Sequence, residues 1–271
     1  MTDATKTGRL IVDEPADGAW NMAVDAAILK CHVPGDPPTL RFYRWSSPTL
    51  SLGYFQSFAD RQIHRDSLSL DVVRRTTGGG AIIHDRELTY SLVTSQSVGA
   101  HGAVPYLYHI VHSAIIKAFA KLNVVAMRYG DATMGSHEEP FLCFQRRTSE
   151  DLVLSGYKIV GSAQRRGAGA VLQHGSLLIA ASPSAPQLPG VLNLVGGMSS
   201  GGIGSSQTSG ESPANGLLSS IQTILAETVA SQLERELRIS WNPSSITAQE
   251  LEEAEKAKKE RFSVESWVMK R

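Results

Sequence analysis

The sequence predicts an α+β protein, within the broad α/β class, in which largely antiparallel sheets are packed with helices. Three observations carry that expectation. Residues 151–180 read as three successive strands: DLVLSGYKIVGSAQ turns at Ser155 and Gly156, and a second turn at Gly167 and Gly169 leads into VLQHGSLLIA. Strand, tight turn, strand is the pattern of an antiparallel meander. Residues 104–122 carry Leu107, Ile110, Val111, Ala114, Ile115, Ala118, Phe119 and Leu122 at the spacing of one helical face. A chain of 271 residues that is 42% apolar is long enough to build a core without staples.

The remaining elements follow in chain order. RLIVD (9–13) reads as a short strand, and a helix follows in which Asn21 is the expected cap and Met22, Asp25, Ala26 and Leu29 recur at helical spacing. Cys31 closes that helix as a half-buried thiol. TLRFYRW and TLSLGYF read as two strands separated by SSP. Residues 123–129 read as a further strand. From 181 to 216 the chain is rich in Ser, Gly and Pro, with GGMSSGGIGSSQTSG at the extreme, a composition expected of a flexible insertion. A helix over 216–236, a brief strand (LRIS) and a charged helix from 248 to about 261 complete the chain, the last expected to be a solvated face with pairs such as Glu252 and Lys256. The organisation expected is one domain over 1–271, interrupted by the 181–216 insertion and closed by a C-terminal helix at about 246–262.

Composition narrows the function classes. Formal net charge is zero, which speaks against a generally basic nucleic-acid binder. The two cysteines, Cys31 and Cys143, have no CxxC spacing and suit a reducing compartment better than a disulfide framework or a zinc site. His109 and His112 stand three apart on the predicted helix, but no third ligand accompanies them. The polar start MTDATKTGR and the absence of a long apolar run lead to the expectation of a cytoplasmic protein without a membrane span. Arginines crowd two regions, 41–86 and 146–166. If those regions share a face, an acidic partner would be steered towards it.

Two stretches carry chemistry. In RRTTGGGAIIHDRELTYS a strand runs into Gly78, Gly79 and Gly80 and resumes towards His84. Three glycines in a row are costly in conformational entropy and make sense where the backbone must come close to something. This is no phosphate loop of the GxxxxGK[ST] type, since a strand follows and not a helix. The alternative is a β-bulge or plain turn. The second stretch, FLCFQRRTSEDLVLSGYKIVGSAQR, sets Cys143 ahead of a hairpin whose second strand opens with Lys158. Lysine is depleted in strands and is seldom buried without a partner. An ammonium brought beside a thiol favours the thiolate, the nucleophilic form. A Cys143 nucleophile partnered by Lys158 is the working expectation, weighed against a small buried hydrophobe and a solvated strand end. His84 is weighed in the same way against a hydrogen-bonded core histidine, and His174 with Gly175 is expected to mark a bulge or a ligand wall in the last strand.

Taken together and in this order, NMAVDAAIL, LRFYRWSSPTLSLGYFQ, RRTTGGGAIIHDRELTYS, LCFQ, GYKIVGSAQRR and LQHGSLL resemble the lipoate-protein ligase and octanoyltransferase family, of the biotin/lipoate ligase-like fold. ITAQELEEAEKAKKERFSVESW resembles that family's closing helix, so the resemblance covers most of the chain except 181–216. Its cysteine branch transfers octanoyl from acyl carrier protein, and ELTYS, the Cys143–Phe144 pair and KIVGSAQ resemble that branch, whereas Gly80 is a residue typical of the ATP-dependent ligases. The resemblance implies that Cys143 takes the octanoyl group as a thioester. A lysine of a lipoyl domain of a 2-oxoacid dehydrogenase E2 subunit, or of the glycine cleavage H protein, then displaces it. Lys158 contacts the acyl carbonyl on this reading. Substrate is bound by Arg75, Gly78, Gly79, Gly80, His84, Tyr90, Gly161, Gln164 and His174, and no cofactor is required. An ATP- and Mg-dependent lipoate ligase, an amidotransferase between carrier proteins, and a non-catalytic acyl- or carrier-binding protein are the alternatives.

Overall fold

The computed structural model describes residues 6–96, 103–130, 140–167, 169–196 and 213–271. In chain order its elements are β1 (Lys6–Val12), α1 (Gly18–Cys31), β2 (Thr39–Tyr43), β3 (Thr49–Leu52), β4 (Asp71–Arg74), β5 (Ile82–His84), β6 (Glu87–Ser95) and α2 (Ala103–Lys121). There follow β7 (Met127–Arg128), β8 (Leu152–Leu154), β9 (Tyr157–Arg166), β10 (Ala170–Leu178), α3 (Val191–Val195), α4 (Pro213–Leu237), β11 (Ile239–Pro243), α5 (Ala248–Ala257) and α6 (Glu265–Val268). One sheet has eight strands in the order β11-β1-β2-β6-β10-β9-β8-β7, and a second has three in the order β4-β3-β5. In the large sheet β1 runs parallel to β2 and β11, and the pairs from β2 to β7 are antiparallel. The expected mixed, largely antiparallel architecture is present.

Helices cover both faces of the large sheet, which is why β2, β6 and β10 are buried along their whole lengths. On one face Leu40, Phe42, Leu88, Leu92 and Leu177 pack against the apolar stripe of α2, from Leu107 to Phe119, and against Leu225, Val229 and Leu233 of α4. On the other face Tyr43, Val93 and Leu172 meet Met22, Ala23, Val24, Ala27 and Ile28 of α1, with Ala254 and Phe262 behind them. Alternation along β2 thus feeds two cores instead of separating core from water. Truncating Phe119, fully buried here, would cost about 3–5 kcal/mol.

Several local features differ from the expectation. Asp17, not Asn21, caps α1: its carboxylate accepts from Trp20 N at 2.8 Å. Asn21 lies buried inside the helix and binds the Ala16 and Arg44 carbonyls. The strands before and after Asp85–Arg86 belong to different sheets, so that turn carries the chain from the small sheet to the large one. Only Met127–Arg128 of the 123–129 stretch is a strand. His174 and Gly175 run through β10 in unbroken register with β6 and β9, so there is no bulge. The charges of the C-terminal helix reach neighbouring elements: Glu250 pairs with Arg9, Glu253 with Lys30 and Lys258 with Asp17. Of the Ser/Gly/Pro-rich segment, residues 181–196 carry α3, whose Val191 packs into the core, and residues 197–212 lie outside the described residues. Among the described residues no helix is long and apolar enough to cross a membrane.

Candidate active site

The small sheet and the large sheet meet where the glycine run passes the segment that carries Cys143. Ala81 N donates to the Phe141 carbonyl at 2.9 Å, and Cys143 N donates to the Ala81 carbonyl at 2.7 Å. This ladder sets Cys143 against Gly80. A Cβ on Gly80 would stand 2.9 Å from Cys143 N, 3.0 Å from its Cα and 3.0 Å from the Phe141 carbonyl oxygen. Residue 80 is therefore glycine so that the cysteine's own backbone can approach, not to admit a ligand. Gly79 takes φ +93° in the same loop, a conformation that favours glycine. The loop is held by Arg75, whose guanidinium donates to the Ser51 carbonyl (2.7 Å) and the Gly80 carbonyl (2.8 Å).

Across from this ladder, the hairpin β8–β9 turns through Ser155 (φ 50°) and Gly156 (φ 81°), the left-handed pair of a tight type I′ connection. It brings Lys158 to the sulfur: Nζ lies 3.8 Å from Cys143 Sγ and 3.4 Å from the Cys143 carbonyl oxygen. Lys158 is buried, and its ion-pair partner is Asp151, Oδ2 at 2.9 Å, the two side chains 3% and 5% exposed. Asp151 is held in turn by Thr148 N at 2.7 Å. Gly161 leaves room for the ammonium, since a Cβ there would stand 2.6 Å from Lys158 Cε and 3.0 Å from its Nζ. The ammonium also lies 5.5 Å from the centre of the Phe144 ring. A buried cation with one carboxylate partner and further donors aimed at a sulfur is poised to meet a second negative charge there.

Cys143 opens into a cavity whose empty space, solvent mouth included, is about 440 Å³. Of the residues singled out from sequence, Arg75, Gly78, Gly79, His84, Cys143, Gly161 and His174 line it. Lys158 reaches the sulfur from behind. Tyr90 and Gln164 stand outside the wall and brace it: Gln164 Nε2 donates to Gln173 Oε1 (2.7 Å), Gln173 Nε2 to the Tyr90 hydroxyl (2.9 Å), and that hydroxyl meets Ser162 Oγ, on the wall, at 2.7 Å. Burial drives the Tyr90 phenol well above its ordinary pKa, so it stays neutral.

The polar wall is closed by two buried chains. Arg75 Nη1 donates to Ser51 Oγ (2.6 Å), Ser51 Oγ meets His84 Nε2 (2.6 Å), and His84 Nδ1 meets Glu87 Oε1 (2.6 Å), a sequence of contacts that assigns the imidazole's proton to Nδ1. Burial lowers the His84 pKa against the pull of Glu87, and the ring stacks on Trp45 at 3.8 Å. In the second chain Asp25 accepts from Arg41 Nη1 (2.8 Å), Ser91 Oγ (2.8 Å) and the Tyr43 hydroxyl (2.9 Å), with His174 Nδ1 at 3.5 Å and His174 Nε2 on Thr77 Oγ1 at 2.8 Å. Burial works to raise the Asp25 pKa, and the His174 contact with the Arg41 charge outweighs it, so the carboxyl is held below its ordinary value. His112 is likewise engaged, with Nδ1 on the Glu150 carbonyl (2.5 Å) and Nε2 on Ser162 Oγ (2.8 Å). Asp151, Asp25, Arg41 and Ser162 were not anticipated from the sequence. The one available signal was an aspartate directly ahead of the strand that pairs with the Lys158 strand.

The fold, two sheets packed with helices, is that of the lipoate-protein ligases. The superposition with lipoate-protein ligase A bound with ATP has a TM-score of 0.72 at 23% identity and covers 97% of this chain and 98% of that one. With the bi-partite lipoate protein ligase from Thermoplasma acidophilum the TM-score is 0.68 at 21% identity, over 97% and 96%. The sequence pattern of the lipoyl protein ligase A/B catalytic domain matches residues 17–194, and the chain belongs to that family. Among its relatives, octanoyltransferase LipM of Kyrpidia tusciae is 40% identical over 189 residues, 66% of this chain and 69% of that one. The corresponding protein of Brevibacillus brevis is 40% identical over 63% of this chain and 65% of its own, and that of Symbiobacterium thermophilum is 31% identical over 97% and 98%.

Proposed function

We propose that this chain is an octanoyltransferase of protein lipoylation, which takes an octanoyl group from octanoyl-acyl carrier protein onto Cys143 and passes it to a lysine of a lipoyl domain or H protein. The observation that carries this reading is the Cys143 sulfur, on the wall of a cavity with the Lys158 ammonium 3.8 Å away. The relatives named octanoyltransferase LipM support it independently.

In the first half-reaction Cys143 Sγ forms a bond to the thioester carbon, the carrier's S–C bond breaks, and the thiol proton ends on the departing thiolate. In the second, the acceptor amine forms the N–C bond, Cys143 Sγ leaves, and the amine proton returns to it. Neither step needs a nucleotide, because the acyl group arrives activated. The limits are alignment and charge. Cys143 N–H is bound to the Ala81 carbonyl and is not free to hold the oxygen of the tetrahedral intermediate. That role falls to Lys158, whose ammonium is placed between sulfur and carboxylate and can also pass the amine's proton. Asp151 fixes the ammonium and balances it in the resting site. The apolar part of the slot takes the acyl tail, and six buried methylenes contribute about 5 kcal/mol at most. The reaction is assigned to the cytoplasm, where the chain uses no cofactor.

Intact mass after mixing with octanoyl-acyl carrier protein tests this reading. One octanoyl adduct, removed by a lipoyl domain and absent in Cys143→Ala, is expected. An adduct of equal yield in Cys143→Ala refutes the nucleophile. Lipoate-dependent pyrophosphate release that tolerates Cys143→Ala would assign the chain to the ATP-dependent ligases.

A further inference from the structure

The cavity mouth is bordered by cations out of proportion to a chain whose formal net charge is zero. The glycine lip is where they gather. Gly78 and Gly79 line the cavity, and the exposed Phe55 ring lies against Gly78, 3.6 Å from where its Cβ would be. Next to Phe55, Tyr54 carries Lys270 over its ring at 4.6 Å and Arg271 at 5.6 Å, and the Lys270 ammonium donates to its hydroxyl at 2.8 Å. Arg271 also lies 5.4 Å from the Phe55 ring. Lys270 continues onto Trp267 at 5.1 Å, and Arg261 stands over the same indole at 5.2 Å. Arg165, two residues along β9 from the cavity-lining Ala163, reaches back to the Thr76 carbonyl at 3.5 Å. That Arg165 belongs to this group is borne out by Tyr54. Its phenol is held below the ordinary value by the Lys270 hydrogen bond first, then by the charges of Lys270, Arg271 and Arg165.

Two of these cations, Arg165 and Arg261, also border a second, larger groove. It runs behind Thr76 between α1, the end of β9 and α5, and its walls add Arg166 and Lys256 to Arg165 and Arg261. Lys30 in that groove is paired with Glu253, and Glu260 is the other carboxylate there. Arg165, Arg166, Lys256, Arg261, Lys270 and Arg271 are all solvent-exposed. Exposed ion pairs of this kind contribute little to stability. An excess of positive charge at the rim of a cleft instead acts on what approaches it. The 41–86 and 146–166 arginines do not build this rim together: Arg165 and Arg166 are joined by Arg261, Lys270 and Arg271 and not by the 41–86 group.

Resting on the octanoyltransferase reading, we infer that this basic rim from Arg261 through Lys270 and Arg271 to Arg165 is the docking surface for the donor, an acidic carrier protein that delivers its acyl thioester past Phe55 and the Gly78–Gly79 lip. The rim flanks the slot on the side from which a thioester arm would enter, whereas Cys143 and Lys158 act on the thioester itself. Docking and chemistry are therefore separable.

The test compares two donors in single-turnover acylation of the full chain: octanoyl-acyl carrier protein, and octanoyl-pantetheine, which has the thioester without the protein. In the triple variant R165E/K270E/R271E, acylation by the carrier at about 50 mM salt falls tenfold or more, and acylation by octanoyl-pantetheine is unchanged within twofold. The variant R165K/K270R/R271K keeps the carrier rate. Wild-type acylation by the carrier, but not by pantetheine, slows as salt rises. Carrier rates equal in wild type and R165E/K270E/R271E would overturn the proposal, as would equal losses with both donors, or a loss confined to the step in which a lipoyl domain removes the acyl group. Equal affinity of the wild-type rim for the carrier and for duplex DNA would overturn it as well. If neither donor acylates the wild type, the octanoyltransferase reading fails; titration of wild type and R165E/K270E/R271E with the carrier alone then still decides the surface.

Discussion

Two buried ion pairs flank the cavity, and they differ in what they leave unspent. At one end Asp25 is surrounded by Arg41, Tyr43, Ser91 and His174, and Arg41 is divided among Asp13, Asp25 and Asn21. Every contact faces inward, and none reaches the sulfur. At the other end Lys158 has one carboxylate partner among the described residues, Asp151, and its other polar contacts there are the carbonyl and sulfur of Cys143, with the Phe144 ring 5.5 Å away. Burying charge is costly in both places, and in both a carboxylate partner offsets part of the cost. The difference is in the donors that remain. A saturated cluster fixes the distance between α1, β2, β6 and β10, and an ammonium whose contacts to Cys143 are long, 3.4 and 3.8 Å, can tighten onto charge that develops there during reaction. Burial and ion pairing alone would not tell scaffold from chemistry here.

That contrast can be broken in four places. Lys158→Ala should slow single-turnover acylation about 10²–10³-fold, read by quenched-flow mass measurement, with the chain still folded by circular dichroism. Asp25→Asn should act on stability, by about 3 kcal/mol in urea unfolding, because Arg41 is left buried with a weakened partner. Lowering the pH should destabilise the wild type through His112, whose pKa burial pushes down to about 4. The unfolded chain takes up that proton near pH 6.5 and the folded one does not, so this stability is present above pH 6.5 and is lost as pH falls towards 4, by about 2 kcal/mol at pH 5. His112→Gln should flatten that part of the urea-midpoint profile. The smallest effect is at Gly80→Ala, where the Cys143 backbone must shift by a few tenths of an ångström, and acylation should slow about tenfold with little change in KM for the acceptor domain.

What the sequence made legible was local. The Ser155–Gly156 hairpin fixed which side of β9 Lys158 starts from, and the periodicity of 104–122 appears as α2 with its apolar stripe in the core. The glycine run was visible as a place of close approach, but its partner was not. Cys143 is 63 residues from Gly80, and the approaching atoms are backbone, which no side-chain pattern records. Asp25 and His174 meet only because α1 lies across β10, a packing choice invisible to spacing. Asp151 read only as the opening residue of the hairpin's first strand. Nothing in SEDLVL distinguishes a solvated aspartate from one 5% exposed on a lysine.

The central claim concerns the Lys158 donors aimed at Cys143, and the rate of acyl-enzyme formation per folded molecule tests it most directly. With octanoyl-acyl carrier protein and time-resolved intact mass, Asp25→Asn is expected to acylate Cys143 at the wild-type rate within about twofold, and Lys158→Ala at least about a hundredfold slower. Equal slowing in the two variants, or a wild-type rate in Lys158→Ala, would contradict the account.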